Sequence, residues 1–250
     1  MTDSVFEFPL KEKVRNYLRI EQLLRQLKTG AKGENGTLQM YFFDRLFILL
    51  DLVERLDLRT DVLKDMDVHE RNLVYWSQHP NIDSAALEQA LQSILRLKEK
   101  LKASKKFGNE LKDDKFLNSI RQRFVIPGGA CSFDLPNLHF WLAQPAESRH
   151  HAIGQWMNSL KLIEESIAIS LSFLRERGLF SQVIAEHGFY QGVAEDKNEL
   201  IRVKCDVNAG YYPTLSGNKY RYAIRFMWFE PQERQSSSVE SEVTFSLAAC

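Results

Sequence analysis

Arg221 and Arg225 lie four residues apart in a segment whose side chains alternate between two chemical classes. Because successive side chains of a β-strand point to opposite faces, a strand over residues 219–229 would carry both arginines on one face. Aromatic and aliphatic residues would fill the other face: Tyr220, Tyr222, Ile224, Phe226 and Trp228. At roughly 3.3 Å per residue the arginines stand about 13 Å apart, too far for one phosphate but suitable for an extended peptide. The pattern predicts a cationic binding surface.

A structural role for these two arginines is the alternative. Glu240 and Glu242 lie on the outward face of the last predicted strand. If that strand were a neighbour, the two glutamates would form cross-strand ion pairs with Arg221 and Arg225. Both interpretations stay open at this stage.

Further basic residues lie in the predicted helices. Arg15 and Arg19 are one helical turn apart on a common face, and Glu12 is placed to neutralise part of it. His139 lies in an apolar helix, where a hydrogen-bonded core histidine is the ordinary interpretation. From the residues alone, these positions favour no particular ligand.

The case for catalysis is weak. The sequence has no phosphate-binding glycine-rich loop and no HExxH motif. Cys131 with Asp134 and His139 could form a thiol nucleophile with its base, but Cys131 is explained more simply as a small apolar residue in a tight corner. The cysteines and histidines do not have metal-ligand spacing. We therefore predict a protein that is not an enzyme and holds neither metal nor other cofactor.

Composition excludes several other classes. The 250 residues are 44% hydrophobic and 26% charged, as in a globular protein with a full core. Its 33 basic and 33 acidic residues cancel, so nucleic acid is not attracted by net charge, although a local basic surface keeps that alternative open. The apolar runs are too short to span a membrane. The three cysteines, widely separated, suit reduced thiols in the cytoplasm.

Hydrophobic periodicity predicts an α+β protein with two domains. Over residues 1–180 apolar residues recur at spacings of three and four residues, which indicates helices. A strand excursion is possible near 124–135. Pro9 suits the first turn of helix one, and a single long helix is predicted over residues 148–177. Over 181–250 a period of two predicts an antiparallel β domain with strands near 182–190, 200–207, 220–229 and 239–247.

Ordered motifs along the whole chain resemble those of the ZapD family of bacterial cell-division proteins. In chain order they are Glu7-Phe8-Pro9-Leu10 with Arg15, Leu18-Arg19-Ile20-Glu21, Arg121-Gln122-Arg123, Pro127-Gly128-Gly129, Ser132-Phe133-Asp134-Leu135-Pro136, Leu138-His139, Trp141-Leu142, Ser216-Gly217, Lys219, Arg221 and Ala223-Ile224-Arg225-Phe226-Met227. The resemblance implies a helical domain joined to a β-strand domain. It also implies a cytoplasmic, non-enzymatic homodimer that binds the C-terminal tail of the tubulin-like protein FtsZ and cross-links its filaments at midcell, during division septum assembly.

The resemblance further implies that basic residues within or beside these motifs bind the tail. They are Arg15, Arg19, Lys115, Arg121, Arg123, His139, Arg221 and Arg225. Exposed ion pairs contribute only about 0–1 kcal/mol each, whereas micromolar binding requires about 8 kcal/mol. We therefore expect apolar anchors beside the arginines, with Met227 and Trp141 as candidates. We also expect the basic residues of helical and strand segments to meet in one groove.

Overall fold

A computed structural model of the chain describes residues 3–77, 83–104, 106–218, 220–230 and 237–250. Over these residues the fold is α+β, as predicted. The helices are α1 (Glu12–Ala31), α2 (Gly36–Glu54), α3 (Leu58–Trp76), α4 (Ser84–Ala103), α5 (Asn109–Lys112), α6 (Lys115–Phe124), α7 (Pro136–Leu142), α8 (Ala146–Ser159) and α9 (Lys161–Glu176). The strands are β1 (Asp3–Pro9), β2 (Ser181–Ala185), β3 (Phe189–Val193), β4 (Leu200–Asp206), β5 (Tyr211–Gly217), β6 (Arg221–Trp228) and β7 (Val243–Ala249). None of the helices in the described parts is long and apolar enough to cross a membrane.

The chain divides into two compact units. Arg19–Ser170 forms one, here called the helical unit, and Met1–Leu18 with Leu171–Cys250 forms the other, here called the strand unit. The strand unit therefore combines the two ends of the chain, because β1 pairs with β4.

The model corrects three predictions about the helical segments. Pro9 ends β1 rather than opening helix one, which begins at Glu12. The predicted helix over 148–177 is two helices, because a turn at Leu160 separates α8 from α9. Residues 125–135 form turns and bends, not a strand excursion. The glycines of that segment provide a physical reason: Gly128 has a φ of 76°, in the left-handed region, which suits a turn and not a pleated strand.

The strand unit contains two antiparallel sheets rather than one. Their orders are β1-β4-β7-β2 and β3-β6-β5. The predicted strand over 182–190 is broken into β2 and β3 by a tight turn in which His187 and Gly188 have φ values of 50° and 64°. This turn sends β3 into the second sheet. Sequence reasoning did not predict β1 or β5.

Both sheets contribute to the core of the strand unit. Val203, Phe245 and Leu247 come from the first sheet, and Ile224 and Phe226 come from the second. The Phe226 and Phe245 rings lie 5.0 Å apart between centroids. The first sheet and the second sheet thus bury one apolar face each in a shared core, which is how antiparallel sheets ordinarily stack.

A carboxylate on β1 binds two arginines on the outer face of the first sheet. Glu7 accepts hydrogen bonds at 2.8 and 2.7 Å from Arg175, at the end of α9, and one at 3.1 Å from Arg202 on β4. All three side chains are largely shielded from solvent. Because one carboxylate serves two guanidinium groups, its loss removes an ion pair from each of them.

The core of the helical unit is aromatic. Phe43, on α2, is fully buried, and its ring contacts those of Phe42, Phe47, Phe116, Phe124, Trp141 and Trp156. The indole nitrogen of Trp156 donates a hydrogen bond of 2.9 Å to Asp114, which also caps α6. Trp141, a predicted floor of the binding surface, thus packs against Phe43, with centroids 5.2 Å apart.

Replacing Glu7 should destabilise the strand unit. We expect Glu7→Gln to lower the free energy of unfolding by about 1–3 kcal/mol, because two shielded arginines lose their carboxylate. Glu12→Gln is the matched control: its side chain is 68% exposed and pairs with Arg15 one turn away, so the loss should be no more than about 0.5 kcal/mol. Urea unfolding measures both, and equal losses would contradict the assignment.

Removing the central aromatic ring should destabilise the helical unit. Phe43→Ala should cost about 3–5 kcal/mol, since it leaves a cavity at the centre of the aromatic cluster. Phe140→Ala, at a side chain 71% exposed on α7, should change the unfolding free energy by less than about 0.5 kcal/mol. Thermal and urea unfolding give the comparison, and a loss below about 1 kcal/mol for Phe43→Ala would refute this description of the core.

Candidate functional site

The alternating pattern on β6 is confirmed. Tyr222, Ile224 and Phe226 are buried in the core of the strand unit, and Arg221 and Arg225 are exposed on the opposite face. Burial, with a smaller contribution from Tyr190, raises the pKa of Tyr222 to about 12, so its hydroxyl stays neutral. Lys219, which the pattern assigns to the cationic face, lies outside the described residues.

The strand register identifies what surrounds each arginine. Arg225 is paired with Phe189 on β3 and Thr214 on β5, and Arg221 is paired with Val193 on β3. Directly paired residues of antiparallel strands point to the same face. The guanidinium carbon of Arg225 lies 5.2 Å from the centroid of the Phe189 ring, a cation–π contact. Val193 is 81% exposed. Apolar side chains therefore lie beside both arginines.

Here this face of β3, β6 and β5 is called the arginine face. Its side chains come from alternate positions of the three strands: Phe189, Gln191, Val193, Tyr212, Thr214, Ser216, Arg221, Ala223, Arg225 and Met227. Met227, predicted as an apolar anchor, is half-buried and paired with Tyr212. The face thus combines two positive charges with aromatic, aliphatic and polar side chains.

The cross-strand ion pairs considered for Arg221 and Arg225 are not found. β6 lies between β3 and β5, whereas β7 belongs to the other sheet. Among the residues that the model describes, no carboxylate lies within ion-pair distance of Arg221 or Arg225. Since no internal carboxylate competes for them among the described residues, the two guanidinium groups remain available to a ligand with a carboxylate.

A cavity opens at the Arg221 end of the arginine face. It has a volume of about 280 Å³ and is lined by Gln191, Ser216, Asn218, Arg221 and Ala223, among others. The Asn218 side chain accepts backbone hydrogen bonds from Tyr220 at 2.9 Å and Arg221 at 3.1 Å, which ties Asn218 to the start of β6. The lining offers hydroxyl and amide groups beside a guanidinium, a set suited to a carboxylate.

The basic candidates on α6 are already paired. Arg121 donates a hydrogen bond of 2.9 Å to Glu54 and another to Asp51, so it holds α6 to α2. Burial alone would lower the pKa of Arg121, but the hydrogen bonds to these two carboxylates outweigh it and raise that pKa. Arg123 donates a hydrogen bond of 2.9 Å to Asp134 in the following turn and is more exposed than Arg121. A ligand would have to compete with these carboxylates.

The remaining candidates differ in exposure. Lys115 is exposed at the start of α6, and Arg15 and Arg19 are exposed on α1. Arg15 pairs with Glu12 at 3.0 Å, as the sequence suggested. His139 is half-buried, and its Nε2 lies 2.8 Å from the carbonyl oxygen of Ala130.

The thiol-nucleophile alternative finds no geometric support. Cys131 lies in the segment of turns and bends, as the tight-corner interpretation expects, but it is exposed. Within the described residues no hydrogen bond joins Cys131 to His139, whose Nε2 is at Ala130, and Asp134 pairs with Arg123. His139 and Asp134 thus each have another partner. The described part of the chain contains no group of three His, Cys, Asp or Glu side chains that could hold a metal ion.

Sequence reasoning missed the apolar half of the arginine face. Phe189 lay in the strand predicted over 182–190 and Val193 lay in no predicted strand, and no short-range signal reveals that they are paired with Arg225 and Arg221. The helical unit has its own exposed apolar side chains beside Arg123 and His139, at Val125, Ile126, Phe133 and Phe140. The sequence signal for these exposed apolar side chains was the turn motif Pro127-Gly128-Gly129 with apolar residues on either side.

The model places the eight predicted site residues in both units. Arg15, Arg221 and Arg225 fall in the strand unit, where the last two share the arginine face. The other five fall in the helical unit: Arg19, Lys115, Arg121, Arg123 and His139. Their meeting in one groove stays a prediction.

Comparison with known proteins identifies relatives over the whole length. The family model for ZapD, described as a cell division protein, matches residues 18–225. Cell division protein ZapD of Shewanella sp. (strain MR-7) is 40% identical over 250 residues, covering 100% of both chains. The protein of that name from Vibrio parahaemolyticus is 39% identical with the same coverage, and that from Pectobacterium carotovorum is 37% identical over 98% of this chain and 97% of its own. This chain therefore belongs to the ZapD family of cell division proteins.

Proposed function

We propose that this chain binds the C-terminal tail of FtsZ and, as a homodimer, cross-links FtsZ filaments in the cytoplasm at midcell. The observation that carries the proposal is the arginine face, where Arg221 and Arg225 have no carboxylate partner among the described residues and lie beside apolar side chains. Family membership supplies the context of cell division. An acidic and partly apolar peptide is the ligand that such a surface fits.

Charge and apolar contact have separate tasks in this proposal. Each exposed ion pair contributes at most about 1 kcal/mol, so two arginines fall well short of the 8 kcal/mol or so of micromolar binding. Phe189, Val193 and Met227 supply apolar area on the same face. Burying apolar surface contributes about 25 cal/mol per Å², which can provide the remainder of the binding free energy. The arginines then set the register of the peptide and speed its encounter.

The other basic candidates are proposed as further contacts, in order of availability. Lys115 is exposed, and Arg15, Arg19 and Arg123 are exposed but have interactions within the chain that a ligand carboxylate would have to replace. Arg121 is the least available, since two carboxylates hold it. His139 contributes by fixing the Ala130 turn next to Arg123.

Cross-linking follows from valency. A twofold homodimer carries two copies of each surface, so it can hold the tails of two filaments at once. Many tails along each filament then raise the effective concentration, and weak single contacts suffice for stable bundles. We propose no catalytic step, because the one candidate nucleophile, Cys131, has no base hydrogen-bonded to it among the described residues.

Reversing both charges of the arginine face should abolish tail binding. For Arg221→Glu combined with Arg225→Glu we expect the affinity for a fluorescent FtsZ tail peptide to fall at least about a hundredfold, because repulsion replaces attraction at both ends of the peptide. Fluorescence anisotropy measures the affinity. Thermal unfolding should be nearly unchanged, since both side chains are exposed.

The matched control carries the same change in net charge elsewhere. Arg25→Glu combined with Arg71→Glu alters two exposed arginines of the helical unit that were not predicted as site residues. This variant should bind the tail within about threefold of the unaltered chain. Equal losses for the two double variants would show that net charge, not the arginine face, determines binding.

Bundling should depend on the tails and on their number. The chain should make FtsZ filaments sediment at low speed, and excess free tail peptide should reverse this by occupying the same sites. FtsZ lacking its tail is the control and should stay in the supernatant. Persistent bundles in excess peptide, with binding of that peptide verified in the same sample, would contradict cross-linking through the tails.

A further inference from the structure

We infer that the ligand of the arginine face is an acidic peptide that binds in extended form as an added strand along the free edge of β3. This inference rests on the proposed function and specifies its binding mode. Its starting observation is that the two sheets have four edge strands, β1, β2, β3 and β5, and that these edges are not equivalent.

Two of the edges are blocked by proline. The hydrogen bond from Leu10 N to Glu199 O shows that the even-numbered residues of β1 bond to β4. The backbone nitrogen and carbonyl of Pro9 therefore face away from the sheet. On β5, the bonds from Asn218 N to Arg221 O and from Phe229 N to Gly210 O likewise make Pro213 face outward. A proline at an outward position removes the donor that an added strand needs.

Among the strands of the described residues, none pairs with the outer edge of β3. Bonds from Phe226 N to Gly188 O and from Ala194 N to Tyr220 O show that the even-numbered residues of β3 bond to β6. The backbone N–H and C=O groups of Gln191 and Val193 therefore face away from the sheet. The side chains of both residues are exposed. An extended peptide can pair with this edge through main-chain hydrogen bonds.

Charge distinguishes the β3 edge from the β2 edge. β2 also lacks proline, but its neighbour β7 carries no charged residue. The neighbour of β3 is β6, with Arg221 paired to Val193 and Arg225 paired to Phe189. A strand added to β3 lies two strand spacings from β6, roughly 10 Å, which the side chains of an arginine and a glutamate or aspartate can bridge. Arg225 already extends over the Phe189 ring, towards β3.

The same charges disfavour a second copy of this chain as the occupant. If two β3 edges paired, each copy would bring its own Arg221 and Arg225 to the junction, and like charges would face one another. A peptide with an acidic residue has the opposite sign. Alternate side chains of that peptide would lie beside Phe189 and Val193, which accounts for the apolar part of the surface.

Hydrogen exchange of single backbone amides tests this binding mode with the unaltered chain. NMR should show the amides of Gln191 and Val193 exchanging at least about tenfold more slowly when the FtsZ tail peptide is bound. The amides of Tyr190 and Gly192, already bonded to β6, should change little. If the peptide binds and Gln191 and Val193 exchange as before, strand addition is wrong while the proposed function stands. If the peptide does not bind at all, the proposed function itself is wrong.

A pair of variants gives a second measurement. Gln191→Pro removes the outward N–H without removing a bond to β6, and it should weaken tail binding about tenfold. Gln191→Ala keeps that N–H and should bind within about twofold. Unfolding midpoints check that both variants are folded, and equal affinities for folded variants would overturn the inference. Slow exchange of Gln191 and Val193 without peptide, growing with protein concentration, would identify a second copy as the occupant and overturn it as well.

Discussion

The buried aromatic stripe of β6 is the constraint on which the proposed function depends. Tyr222, Ile224 and Phe226 are fixed in the core of the strand unit, and the two-residue period of the strand then puts Arg221 and Arg225 on the outer face. A shift of one residue in register would bury both arginines and expose the aromatic rings. The free energy of the core thus maintains the position of the charges, so the surface is formed before any ligand arrives.

The cations of this chain serve two purposes, which sequence patterns do not separate. Arg121, Arg175 and Lys98 each bind one or two carboxylates and hold secondary-structure elements together. For Lys98, hydrogen bonds to Asp67 and Glu70 raise the pKa, although burial opposes this. Arg221 and Arg225, by contrast, lack such carboxylates among the residues described. Availability, more than charge itself, distinguishes a binding residue from a structural one.

The sequence predicted what local periodicity determines. It indicated the α+β class, the helices around the aromatic core and the two faces of β6. It did not indicate β1, whose residue Glu7 binds Arg202 across 195 positions of sequence, because long-range pairing leaves no local signal. Nor did it divide β2 from β3, since the break depends on a positive φ at His187, a residue type that gives little warning of it. The site was therefore only half predicted: the arginines follow from the strand period, whereas Phe189 and Val193 reach them through a pairing visible only in the fold.

The most direct test of the account is to locate the bound tail on the surface. A spin label at one end of an FtsZ tail peptide broadens the NMR signals of nearby amides, and a diamagnetic label provides the reference. The account predicts broadening at Val193, Ala223 and Arg225, on the arginine face, with little effect on the opposite edge of the first sheet. Broadening confined to residues outside the arginine face, with the peptide bound, would contradict it.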